Sequence, residues 1–411
     1  MSALQRHRAD GSHRVVVTGM GAVTGFGIGI GPFWDGVTAA RSAIQPTRRT
    51  FDTMEIVRPA ATVAGYRPGD HFSAAQLLMC DPFVQFALLA AREAVVASGL
   101  ASGDLRDAAV VLGCGGGGET SREESAIQLF ANKRRRAHPA TVPRCNHQAA
   151  VGMIAIEHQS FGPAFTLTTG CASASHAIAQ AAMMIRHGYV ERALVGGTEA
   201  AVLYGVMRSY DSAQTIASDT CRPFSHGRSG LALGEGAGVM VIETLESAAQ
   251  RGAVILAEIA GFGMSSDAAD VVQPTRRGPV RAVVQALADA GMAQDAIGYI
   301  SAHGTGTQLN DAVETAVVHE IFGAHAANLV MSSTKSQIGH TFGAAGALEL
   351  IATIQGMTHG VAPPTVNYLA PDPDCDIDCV PNEARDLRFT VAVSQSFAFG
   401  GINAALVARL V

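Results

Sequence analysis

The sequence predicts a layered α/β protein, and three observations carry that expectation. Short β-rich runs alternate with Ala-rich helical stretches along the chain, the pattern that stacks helices on sheets. Apolar residues fill 48% of the 411 positions and charged residues 16%, which supports a large core and buried association surface rather than disorder. Glycine-rich punctuation falls at 113–118, 227–238, 304–306 and 400–401, where tight turns and close approach of backbone to ligand are easiest.

In chain order, RVVVTG (14–19) opens as a strand and a long apolar-periodic run predicts a helix over 82–98. AAVVLG (108–113) and FTLTTG (165–170) read as strands, followed by a helix over 172–187 and strands RALVGG (192–197) and GVMVIE (238–243). Beyond these come a helix at 279–290, the strand YISAHG (299–304), a helix at 311–321, the strand LVMSST (329–334), a helix at 343–357 and the strand VAVSQS (391–396). No linker separates autonomous domains, and inspection finds no internal repeat that would divide the chain near residue 255.

Charge and hydropathy exclude several classes of function. A net charge of −6, with a pI near 6.1, argues against general nucleic-acid binding. No apolar run reaches the ~18 residues that span a bilayer, and MSALQRHRADGSH lacks the apolar segment of a secretory signal, so a cytoplasmic protein is expected. Seven cysteines without a paired CxxC motif suit free thiols in a reducing compartment. Cys375 and Cys379, in PDPDCDIDC, read as part of an exposed acidic loop rather than a metal site.

Strand ends that feed helices are where chemistry is sought. Cys171 follows FTLTTG and would open the next helix, where unpaired N–H groups and the helix dipole favour thiolate. A small unreactive thiol under a sheet is the plainer reading of this segment alone. His303 follows YISA and precedes Gly304, Thr305, Gly306 and Thr307, and His340 stands five residues after Lys335, before a small-residue helix. A buried Lys335 would need a partner, and Glu349 in that helix is the candidate. SFAFGG adds Phe399 and Gly400, a loop able to offer an N–H. One thiol, two histidines and a lysine together suggest acyl transfer to cysteine followed by attack of a carbon nucleophile.

These residues carry a resemblance. RVVVTGMGAVTGFG, TLTTGCASASHAI, RPFSHGRSGLALGEGAG, SAHGTGTQLNDAVET, SSTKSQIGHTFGAAGALE and SFAFGGINAAL stand in the order and spacing of the elongating β-ketoacyl-acyl-carrier-protein synthases of fatty acid and polyketide assembly, over residues 14–410. The resemblance implies a thiolase fold of five layers, αβαβα, from two similar halves (14–255 and 256–411) behind a flexible lead (1–13). It implies that Cys171 accepts the acyl group, that His303 and His340 promote malonyl decarboxylation, and that Lys335 positions them, with Glu349 behind it. The N–H groups of Cys171 and Phe399 would form an oxyanion hole. Thr305 and Thr307 would contact the phosphopantetheine arm, Gly116 the acyl tunnel, and Phe399 and Gly400 the substrate. No metal or organic cofactor is implied. The expected partners are an acyl carrier protein and a second subunit, identical or similar to a chain-length factor.

The Cys, His, His set also separates this chain from close relatives. Thiolases need a second cysteine near the C-terminal glycine loop, Cys-His-Asn synthases carry asparagine where His340 stands, and non-catalytic chain-length or docking subunits lack the nucleophile. Four positions depart from the family pattern. Gly116 stands where many relatives carry a bulkier tunnel residue, FSAAQLLMCDPF lacks basic side chains that often greet the carrier, Ala398 replaces a glycine, and His176 sits inside the nucleophile helix, read as a packed or interface side chain. Lys133, Arg134, Arg135 and Arg136 form a conspicuous basic run in an acidic chain and are expected to dock the carrier protein.

Overall fold

The computed structural model describes residues 7–101 and 103–411. Its first half runs β1 (Val15–Thr24), α1 (Pro82–Ser98), β2 (Ala109–Gly113), α2 (Ala149–His158), β3 (Ala164–Leu167), α3 (Ser173–Arg186), β4 (Arg192–Glu199) and β5 (Gly236–Thr244). The second half repeats that order: β6 (Ala257–Ser266), α4 (Arg277–Ala290), β7 (Tyr299–Ser301), α5 (Gln308–Phe322), β8 (Val330–Ser332), α6 (Ala345–His359), β9 (Val391–Ala398) and β10 (Ile402–Arg409).

Strand order is β3-β2-β4-β5-β1 in the first half and β8-β7-β9-β10-β6 in the second, the same topology twice. Within each set the strands before the helical crossovers pair in parallel, and the last and first strands of the set pair antiparallel. The two sets touch only where Val16 faces Glu258 and Val17 faces Ala257.

Three apolar clusters separate the layers. One joins α3 and α6 to inward faces of strands from both halves, through residues such as Ile178, Ile185, Leu348 and Ile351. The others lie under α1 and α2 and under α4 and α5. Two sheets alternating with three helix layers give the αβαβα thiolase arrangement. The central helices are apolar nearly all round because both faces are covered. Burying each Leu or Ile there contributes about 1.5–3 kcal/mol. Small residues let them close up: a Cβ at Gly346 would stand 2.1 Å from Ser175 Oγ.

Local chemistry sets the element ends. α1 starts where Asp81 accepts from the Phe83 N–H and Pro82 occupies the first turn, where its missing N–H costs nothing. Residues 1–6 of the expected flexible lead lie outside the described residues. Residues 7–13 are tied down: Arg8 pairs with Asp289 and the His13 N–H donates to the Arg186 carbonyl. Cys375 and Cys379 are buried in the second-half core, so the acidic loop turns its thiols inward rather than exposing them. The acidic side chains between them take the solvent side. No helix among the described residues is long and apolar enough to cross a membrane.

Candidate active site

Cys171 lies between β3 and α3, in a single 3-10 turn over Gly170–Ala172 rather than in the first turn of the helix itself. The chain reverses at Gly170, whose φ of 59° is in the left-handed region that glycine adopts without strain. Ser173 Oγ clamps the turn by donating to the Gly170 carbonyl at 2.6 Å and accepting from the Thr169 N–H at 2.9 Å. His176 packs behind it, with Nδ1 3.0 Å from both Thr169 Oγ1 and the Ala172 carbonyl.

The corresponding strand ends of the second half supply the histidines. His303 leaves β7, and its N–H and that of Gly304 donate to the two oxygens of buried Glu314 at 2.6 and 2.7 Å. His340 is fixed through its backbone to the segment 232–234: its N–H donates to the Ala232 carbonyl at 2.7 Å and its carbonyl accepts from Gly234 at 2.8 Å. The two imidazoles meet edge to face with centroids 5.5 Å apart, and the Phe342 ring stacks on His340 at 4.9 Å. Phe342 itself has a φ of 44°, a conformation that a bulky residue keeps only when its surroundings hold it.

Hydrogen bonds settle where the ring protons sit. His340 Nδ1 accepts from the Phe342 N–H at 3.2 Å, and Lys335 Nζ lies 3.4 Å from His303 Nδ1. Because Nδ1 is the acceptor in both rings, each neutral imidazole carries its proton on Nε2. Burial, with the Lys335 charge next, holds both histidines well below their ordinary range, so both are neutral donors. Lys335 forms an ion pair with Glu349, as its sequence neighbourhood suggested, and both are buried.

Burial also governs Cys171. It pushes the thiol up to about 12; Lys335 pulls the other way, while Glu199 and Glu349 add to the rise. Desolvation thus opposes the thiolate that the turn and Lys335 favour.

Two cavities meet at Cys171. The outer one, about 390 Å³, is lined by Cys171, His303, Thr305, Thr307, His340 and Phe399. Thr305 and Thr307 hydroxyls bond to each other at 2.8 Å on its wall. The other, called inner because neither histidine lines it, is the more open of the two, about 630 Å³, and is lined by Cys171, Gly116, Glu199, Tyr210, Phe342 and Phe399. Phe399 is half exposed between them, and the backbone N–H groups of Cys171 and Phe399 have no backbone carbonyl partner among the described residues. Gly400 lines neither cavity; its N–H donates to the Val271 carbonyl at 2.8 Å. In the glycine run it is Gly117 that has positive φ, at 73°, so Gly116 is not required there by backbone conformation.

The sequence reading missed Glu199, Glu314 and Tyr210. Glu199 accepts from the N–H groups of Gly115 (2.8 Å), Gly116 (3.0 Å) and Gly343 (3.0 Å), binding the glycine run to the loop after His340. Its signal was a carboxylate closing the apolar strand RALVGGTE. Burial pushes Glu199 and Glu314 up to about 7. Residues 133–136 are far from this cluster in character: all four are exposed, and none forms an ion pair among the described residues. No group of three or more metal-ligating side chains occurs among the described residues.

Comparison with known proteins agrees with this geometry. Residues 12–248 match the model "Beta-ketoacyl synthase, N-terminal domain" and residues 256–369 the model "Beta-ketoacyl synthase, C-terminal domain". The chain is 44% identical to "Nodulation protein E" of Rhizobium sp. (strain N33), covering 97% of this chain and 99% of that one. It is 37% identical to "3-oxoacyl-[acyl-carrier-protein] synthase 2" of Coxiella burnetii, covering 96% and 98%. Among solved structures, "The ishigamide ketosynthase/chain length factor" superposes with a TM-score of 0.91 at 36% identity, over 97% of this chain and all of that one.

Proposed function

Since the chain belongs to the β-ketoacyl synthase family, we propose that it joins an acyl group held on Cys171 to a malonyl group delivered on an acyl carrier protein. The observation that carries this reading is the placing of two neutral Nε2–H donors and one thiol around cavities that meet at the sulfur.

In the first half-reaction Cys171 Sγ attacks the carrier-bound thioester. The tetrahedral oxyanion takes hydrogen bonds from the Cys171 and Phe399 N–H groups, each contributing on the order of 3 kcal/mol in comparable sites. The carrier thiol leaves with the proton that Cys171 gives up. Neither histidine accepts it, because their Nε2 atoms already carry hydrogen. The acyl chain then occupies the inner cavity past Gly116.

In the second half-reaction malonyl-carrier enters by the outer cavity, its arm along Thr305 and Thr307. The Nε2–H groups of His303 and His340 donate to the malonyl thioester oxygen as the carboxylate departs as CO2. The resulting enolate carbon attacks the Cys171 thioester, and the released sulfur takes up one proton. Lys335, held by Glu349, keeps His303 in the donor tautomer.

The exposed run Lys133–Arg136 suits an acidic carrier protein, since exposed unpaired cations steer association. The half-exposed edge strand β3 suits pairing with a second subunit, identical or of chain-length-factor type. We place the divide between the halves at residue 255 and the protein in the cytoplasm. Incubation with acyl carrier proteins followed by intact mass measurement tests the reading: the native chain gains one acyl group at Cys171 and Cys171→Ala gains none. Residual condensation above ~1% of native in Cys171→Ala would overturn the covalent route.

A further inference from the structure

The inner cavity has a largely apolar wall, with Ala126, Ala201, Val206, Phe342 and Phe399 on it. Its charged side chains are already partnered: Glu119 pairs with Arg122, and Glu123 accepts from the Gly205 N–H at 2.8 Å. A free donor on such a wall is therefore the feature that could tell one acyl chain from another. Tyr210, in the helix Tyr204–Ser212, stands where this cavity meets the outer one and lines both. Its ring packs against Phe342 at 5.1 Å, the same ring that stacks on His340. Its backbone carbonyl accepts from the N–H and hydroxyl of Thr215 at 3.2 and 3.1 Å, which fixes the end of the helix.

Among the described residues the Tyr210 hydroxyl makes no hydrogen bond, and it is not sealed inside the protein. A tyrosine set into an apolar wall normally finds an acceptor for its O–H. Tyr210 lines both cavities that meet at Cys171, so this donor opens on the space around the sulfur that an acyl group would fill. Burial keeps the phenol protonated across the neutral range, with Cys171 and Glu199 adding to that effect, so the hydroxyl is a donor.

We propose that Tyr210 reads oxygen on the acyl chain: the site prefers acyl groups bearing a ketone or hydroxyl close to the thioester over plain alkyl groups of the same length. This rests on Cys171 being the acyl acceptor. A ketone or hydroxyl oxygen near the thioester would accept the Tyr210 hydrogen bond, whereas an alkyl chain would leave that donor unsatisfied.

The test compares N-acetylcysteamine thioesters of butyric, 3-hydroxybutyric and 3-oxobutyric acids, following acylation of Cys171 by intact mass in the native protein and in Tyr210→Phe. The native protein should acylate faster with the oxygenated acids. Tyr210→Phe should lower the ratio of oxygenated to butyryl rates roughly three- to tenfold, the effect of one hydrogen bond. An unchanged ratio in Tyr210→Phe, or a native protein that prefers butyryl, overturns the inference and leaves the condensing reading standing. A folded native protein that takes no acyl group from any thioester overturns both.

Discussion

Glu349→Gln removes the counter-charge from a lysine whose side chain is 1% exposed, and its own carboxylate is 3% exposed. Breaking a buried pair from one side strands a charge, which costs about 3–5 kcal/mol. Replacing both partners, as Lys335→Met with Glu349→Leu, strands nothing. Glu349 Oε2 has no hydrogen-bond partner among the described residues, so the native pair already bears part of its desolvation cost. The double variant should therefore lie within ~1 kcal/mol of native stability or above it. Activity should not follow stability. Lys335 Nζ, 3.4 Å from His303 Nδ1, is what keeps that ring's proton on Nε2. Without it one enolate donor is no longer held, and the decarboxylation rate should fall on the order of 100- to 1000-fold. Denaturant unfolding gives the stabilities, and CO2 release from malonyl-carrier protein gives the rate. A double variant as unstable as Glu349→Gln, or one that decarboxylates at the native rate, would refute the argument.

Three shorter predictions accompany it. Gly116→Ile should fold, because its backbone φ is not in the left-handed region, but the Glu119 side chain must move, since its Cγ would stand 2.8 Å from the new Cβ. It should shorten the longest chain accepted, at a stability cost of about 1–3 kcal/mol; a lowered melting point with unchanged products would contradict this. Decarboxylation by Cys171→Gln should stay flat as pH falls through 6.5, the ordinary histidine value. Both imidazoles are held well below that value, so the neutral donor form persists and is lost only at lower pH. An acid limb centred near 6.5 would count against neutral donors. Reversing Arg135 and Arg136 to Glu should raise KM for carrier-bound substrates and weaken its salt dependence, while small thioester mimics react as before; equal loss on both indicates misfolding.

Much of the molecule is legible before any coordinates. Each β-rich run singled out in the sequence falls on a strand or its end, and the five helices expected all form, because buried parallel strands and central helices leave strong apolar signals. Of the ten strands that make up the two halves, β6 and β10 escaped notice, as did the hairpin of Gln45–Phe51 and Met54–Ala61 outside them. In AEIAGFGMSS the glycines at 261 and 263 break the apolar run, and a Cβ at either would strike the α4 backbone, at 2.4 Å from Ala286 O and 2.0 Å from Ala282 O. They are there for close packing, a long-range requirement with no local signature. β10 was absorbed into the glycine-loop motif that precedes it. The twofold repetition of topology is invisible for a related reason: the halves share strand order while their side chains serve different neighbours. Cys171, His303 and His340 were readable from motif spacing. Glu314 and Glu199 were not, because they act on backbone N–H groups, which any residue supplies. The upward push that burial gives the Cys171 thiol was not legible either, because desolvation depends on everything packed around the sulfur, not on the turn that carries it.

The two topologically equal halves contribute unequally to one site. Cys171 comes from the first, while His303, Lys335, His340 and Phe399 all come from the second, and the sheets themselves touch at two residue pairs. No single half holds the whole cluster. The distance from sulfur to imidazole is therefore a property of the seam, where α3 and α6 lie against each other. A slip of about 1 Å along that seam can cost 100-fold in rate while leaving every strand and helix intact. The enzyme would then behave like a pair of shears with a loosened rivet, its blades unaltered and its cut gone.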